Sequence, residues 1–190
     1  MKKIIFLLIA PVVMLSCTTS KESRSSKNEL KKEEKLVEQA MIEKAVLSRK
    51  FIIKFERLYF TRGGIIDLVP RANYIVVDGK KAIISTAYIG RQYGIMPIEG
   101  INMHGEASSY ELKNNTEKGL YEIKMKVTSP QNSFDVYITI GKNGSSNASI
   151  NNARIDFVRY SGYCVPIKTK TDNNNDPGKT NTTPPENIVI

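Results

Sequence analysis

Two stretches in the second half of the chain alternate apolar and polar residues with a period of two. Tyr121, Ile123, Met125 and Val127 are interleaved with Glu122, Lys124, Lys126 and Thr128, and Phe134, Val136, Ile138 and Ile140 with Asp135, Tyr137 and Thr139. Successive strand side chains point to opposite faces, so this period builds a sheet with one buried and one wet face. Such a sheet is antiparallel, because parallel strands covered on both faces read as solid apolar runs. Ala153, Ile155 and Phe157 extend the alternation. Turn-forming residues punctuate it: Asp78-Gly79 divides 72–77 from 80–89, residues 114–119 divide 110–113 from the Tyr121 strand, and 141–144 precede 145–150. With 51–60 and 160–167 added, the expected fold is all-β over residues 51–167. About eight antiparallel strands in a meander close as an up-and-down barrel or stack as a two-layer sandwich. A domain of that length buries roughly two-thirds of the unfolded chain's surface without disulfides.

Ahead of residue 51 the period changes. Ser26 and Glu29 have capping-box spacing, and Leu30, Val37, Ala40, Met41 and Leu47 fall near helical spacing among Glu and Lys residues. An amphipathic helix of about 20 residues is expected within 29–50. Its polar face mixes both charge signs, which favours a helix laid against the domain over a uniformly basic lipid-surface helix. Residues 17–28, rich in Ser, Thr and Lys, read as a flexible tether, and 168–190 as a disordered polar tail. The tail's Ile188, Val189 and Ile190 are apolar; an unselected end is preferred over a strand for a partner's edge.

Lys2 and Lys3 precede a 12-residue apolar run, 4–15, which is too short to span a bilayer and has the length of a signal-peptide core. It leads into Met14-Leu15-Ser16-Cys17, which resembles the lipobox of bacterial lipoproteins, with Met14 and Leu15 departing from the commonest residues. The expectation is a cleaved signal peptide, 1–16, and lipid attachment at Cys17. Two or three acyl chains hold a protein at a membrane without spanning it. No acidic run follows Cys17, so the expected address is the cell envelope: the inner leaflet of the outer membrane, facing the periplasm.

The net charge of +9 invites a nucleic-acid reading. It is diffuse, however. Residues 51–166 carry 14 basic against 10 acidic residues, and 18–50 carry nine against six, so no basic patch of the kind that binds nucleic acid is legible. Excess charge beside the anchor suits anionic lipid headgroups instead. Two Cys in 190 residues exclude a disulfide scaffold, a Cys-rich zinc module and an iron-sulfur framework. His104 is the sole histidine and has no metal-ligand or Cys-His spacing around it, so a structural or exposed residue is expected. Cys164 reads as a small buried hydrophobe, since no Lys, Arg or His lies close in sequence to activate it. No cofactor fingerprint and no nucleophile motif is present.

The landmarks Asn73-Tyr74, Asp78-Gly79, Gly90-Arg91-Gln92-Tyr93-Gly94, Gly100-Ile101 and Tyr160-Ser161-Gly162, in that order, resemble the family known as domain of unknown function 4251. The resemblance covers about residues 40–167. It implies a small Gram-negative envelope lipoprotein with a helix followed by a β-rich domain, and it implies no activity. This chain has Ile95-Met96-Pro97-Ile98-Glu99 where members often carry a Gly-rich sequence.

The best candidate for function is 90–105, a 16-residue stretch holding four of the 12 glycines and no clean period. Connections this long are usually functional or disordered, and Ile95, Met96, Ile98, Ile101 and Met103 make this one too apolar for disorder. Arg91 and Tyr93 offer a guanidinium fork and an amphipathic ring to a carboxylate, phosphate or sugar. The competing reading is that the apolar residues complete the core and Arg91 pairs locally. Two functions stay open: a non-enzymatic binding or structural module for a small apolar or glycan ligand or an envelope protein partner, and a hydrolase of envelope polymers with an unrecognised site. The first is preferred, with neither cofactor nor metal.

Overall fold

The alternation becomes strands in the computed structural model of the chain, which describes residues 19–60, 63–89 and 100–168. Among the described residues one helix, α1 (Thr19–Leu47), is followed by β1 (Lys50–Tyr59), β2 (Ile65–Asp67), β3 (Tyr74–Asp78), β4 (Lys81–Ala87), β5 (Gly100–Asn115), β6 (Leu120–Thr128), β7 (Ser133–Gly141), β8 (Ser145–Asn152) and β9 (Ile155–Pro166). From β3 onward each strand pairs antiparallel with the next, and β1 joins β3 on one side and β9 on the other. The β1–β9 ladder runs from Phe51↔Pro166 to Tyr59↔Arg159. That ladder closes the sheet, so the fold is an eight-stranded antiparallel barrel with β2 as an extra strand, not a two-layer sandwich. At this strand number the interior is just wide enough for side chains to fill it. Phe51, Phe55, Ile123, Ile138, Ile150 and Tyr160 are among those that do, each fully buried.

α1 departs from its sequence reading at both ends and around its circumference. It begins at Thr19, within the stretch whose composition reads as a tether, and encloses the Ser26–Glu29 pair rather than starting there. It stops at Leu47: the Ser48 N–H donates to the Lys44 carbonyl, and Arg49, at φ 56°, closes a left-handed cap with its N–H on the Val46 carbonyl. The helix runs through one structural unit ending at Glu38 into the barrel's unit, which begins at Gln39. In the barrel's unit the buried stripe is Ile42, Ala45 and Val46, while Met41 and Leu47 of the expected stripe are exposed. Both sets satisfy helical spacing, so periodicity alone does not choose between them. Among the described residues no helix is long and apolar enough to cross a membrane.

Two strands differ from expectation for local reasons. β5 is 16 residues long and takes in Gly100–Gly105, with Ile101 and Met103 buried, so six of the 16 residues of the expected long connection are strand. An extra residue at its Ser108/Glu111 register shift restores the inward parity, with Ser109 in the left-handed region at φ 49°. β9 is continuous where the sequence reads as two pieces. It turns from β8 through Asn152, whose Oδ1 accepts the N–H groups of Arg154 (2.8 Å) and Ile155 (3.0 Å). A bulge follows, so Ile155 and Val158 point inward and Phe157 is left 48% exposed, off the face that simple alternation assigns to it.

Candidate functional site

The last turns of α1 lie at the barrel end that carries the β7–β8 turn. Ile42 packs beside Gly144, and the Arg49 guanidinium stacks 4.1 Å over the Tyr110 ring. The opposite end carries the roots of the β4–β5 connection: Tyr88, buried, Ile89, 46% exposed, and Gly100 where β5 begins. A fixed frame surrounds those roots. β2 and β3 are two halves of one path along β1, pairing Arg57↔Asp67 and Lys54↔Tyr74, and between them residues 68–73 leave the ladder. Asn73 brings the chain back, its carbonyl accepting the Phe55 N–H at 2.8 Å.

Asn73 is 7% exposed, and a buried amide has to pair its donors and acceptor. Its Nδ2 donates to the Val69 carbonyl at 2.9 Å, bracing the detour. Its Oδ1 accepts the Ala87 N–H at 2.8 Å and the Thr86 hydroxyl at 3.4 Å. From β9, the Tyr160 hydroxyl donates to the Ala87 carbonyl at 2.9 Å, and its ring stacks on Phe55 with centroids 4.6 Å apart. Burial pushes the Tyr160 phenol above its ordinary range, so it stays a neutral donor. Alongside, the Tyr59 and Ser161 hydroxyls are 3.1 Å apart and share a hydrogen bond. Both backbone polar groups of Ala87, the last residue of β4, are therefore held by side chains from other elements. The connection leaves from a rigid root, the arrangement in which loops carry binding residues on a scaffold.

Arg91, Tyr93 and Cys17 lie outside the described residues. Ile101 and Met103 sit in the core, as the structural reading of that stretch has it. His104 faces outward on β5, paired in register with Ile83. Cys164 is 4% exposed, and burial pushes its thiol up to about 12, the behaviour of an inert core group rather than a nucleophile. Among the described residues no three His, Cys, Asp or Glu side chains gather as a metal site.

The family described as Domain of unknown function (DUF4251) matches residues 33–164. The chain belongs to this family. A crystal structure of a DUF4251 family protein from Bacteroides eggerthii DSM 20697 is similar in fold, with a TM-score of 0.59 at 17% identity, covering 68% of this chain and 88% of that one. No curated protein matches the chain. The DUF4251 landmarks acquire physical reasons in this chain. Asn73 and Tyr160 grip Ala87. Gly79 takes φ 63° in the β3–β4 turn, and a Cβ on Gly162 would overlap the Lys54 carbonyl oxygen where β9 meets the bulge in β1. Sequence reasoning missed the roles of Asn73, Thr86 and Tyr160; the available signal was a polar Asn heading an otherwise apolar strand.

Proposed function

We propose that this chain is a lipid-anchored envelope protein that faces the periplasm and acts as a non-enzymatic binding module. Its binding end is the barrel end at the β4–β5 connection, and its ligand is a small apolar or glycan molecule or an envelope protein partner. The observation that carries the reading is the double hold on Ala87. It fixes the root of a connection whose sequence includes Arg91 and Tyr93, a charged fork and an amphipathic ring suited to recognition. The lipobox-like run ending at Cys17 supports the anchor and its address.

Metabolic labelling with a fatty-acid analogue tests the anchor: label on the wild type and none on Cys17→Ala is expected, and label persisting in Cys17→Ala overturns it. Co-purification from crosslinked cells tests the binding end. Arg91→Ala with Tyr93→Ala is expected to lose the captured species, and unchanged capture removes the connection from the account.

A further inference from the structure

The barrel wall carries a second feature, distinct from the β4–β5 end. Where β5 bulges opposite Met125, the outer face opens into a hollow of about 220 Å³ lined by Ser109, Glu111, Lys124, Lys126, Asp135 and Tyr137. Register explains the lining. Glu111, Lys124 and Tyr137 are cross-strand neighbours in one row, and Lys126 and Asp135 in the next. The bulge inserts the extra residue beside these rows, and Ser109 holds a left-handed conformation rare for a residue with a Cβ. Bulges of this kind re-aim side chains and are over-represented beside functional sites.

The chemistry of the lining selects a ligand class. Two lysines and two carboxylates leave no net charge, so neither an anion nor a cation is favoured. The Lys126 ammonium lies 3.6 Å from Asp135, and the Lys124 ammonium stands 5.7 Å from the centre of the Tyr137 ring, partly occupying these groups with one another. A purely apolar ligand would strip water from four charged groups and return no hydrogen bonds. A neutral polyol fits: its hydroxyls donate to Glu111 and Asp135 and accept from the lysines, while the C–H face of its ring lies on Tyr137, which is 44% exposed. The volume falls below the roughly 300–1,000 Å³ of pockets that enclose drug-sized molecules, which points to one ring with the rest of a chain outside.

We infer that this hollow binds a single sugar ring of a neutral glycan. The inference is independent of the β4–β5 end. The test titrates the full-length protein in detergent with hexamers of glucose, mannose and N-acetylglucosamine, read by saturation-transfer NMR and calorimetry. At least one hexamer is expected to bind the wild type. Tyr137→Ala is expected to weaken that binding at least about tenfold, and Tyr137→Phe, which keeps the platform, to remain near wild type. Arg91→Ala and Tyr93→Ala are expected to leave it unchanged. Tyr137 is exposed, so its variants keep the fold, checked by circular dichroism. No binding by any of the three hexamers, equal binding by Tyr137→Ala, or loss only in the Arg91 and Tyr93 variants overturns the inference.

Discussion

Asn73 and Tyr160 lie on different strand paths and hold the same residue from two sides: the Asn73 amide oxygen takes the Ala87 N–H, and the Tyr160 hydroxyl reaches the Ala87 carbonyl. Neither bond belongs to the β4 ladder. They act where β4 runs past the end of β3, and they stop its last residue from fraying.

The hold on Ala87 has a measurable cost of removal. Tyr160→Phe strips only the hydroxyl and is expected to destabilise by about 1–2 kcal/mol, and Asn73→Ala by about 1–3 kcal/mol, since each leaves a backbone group without its partner. Because both act on one residue, the double variant is expected to be non-additive by at least about 0.5 kcal/mol. Urea denaturation of the four proteins measures this; strict additivity would mean that the two bonds do not work together.

Gly162 and Gly79 are expected to differ. At Gly79 the φ of 63° strains any side chain but nothing crowds it, so Gly79→Ala is expected to cost about 1–2 kcal/mol. At Gly162 the new Cβ meets strand backbone, which cannot step aside without opening the β1–β9 ladder. Gly162→Ala is expected to cost about 3 kcal/mol or more, or to prevent folding. Comparable melting temperatures for the two variants would contradict the close approach.

Alkaline pH is expected to destabilise the barrel. Burial raises the Cys164 thiol from 9.0 to about 12, and the Tyr110 phenol from 10.0 to about 12 despite the nearby Arg49 charge; burial raises Tyr160 as well. The folded chain thus keeps protons that the unfolded chain has released. Stability from these groups is complete below about pH 9 and is lost as pH climbs towards 12. The urea midpoint is expected to fall between about pH 8 and about pH 11, and Cys164→Ser to remove the earliest part of the fall. A midpoint independent of pH over that range would show that these groups titrate as freely folded as unfolded.

The stripe of α1 that meets the barrel can be tested by truncation. Ile42→Ala is expected to cost about 2–5 kcal/mol, as for other buried aliphatic side chains, and Met41→Ala, one position away and exposed, at most about 0.5 kcal/mol. Equal effects at both positions would contradict the observed face.

These contrasts mark where the chain could be read from its letters. The Tyr121 and Phe134 alternations were legible because β6 and β7 each have one wet and one dry face throughout, with no bulge between Leu120 and Gly141. The β5 and β9 paths were not, because each contains a register shift that moves every later side chain to the other face, as Phe157 shows. Barrel closure depends on β1 meeting β9 across about a hundred residues, which local patterning does not report. The Asn73, Thr86 and Ala87 contacts were hidden for the same reason: a buried amide looks like any turn residue until its partners are brought to it. In α1, apolar residues on both faces left periodicity without a unique answer.

Binding at the β4–β5 end would bring the ligand or partner close to Ile89, exposed at the root of that connection. A photo-crosslinking residue at Ile89 of the full-length protein in intact cells is expected to yield a discrete adduct that the same residue at Glu117, in the β5–β6 turn, does not. No adduct at Ile89, or the same products from both positions, would contradict it.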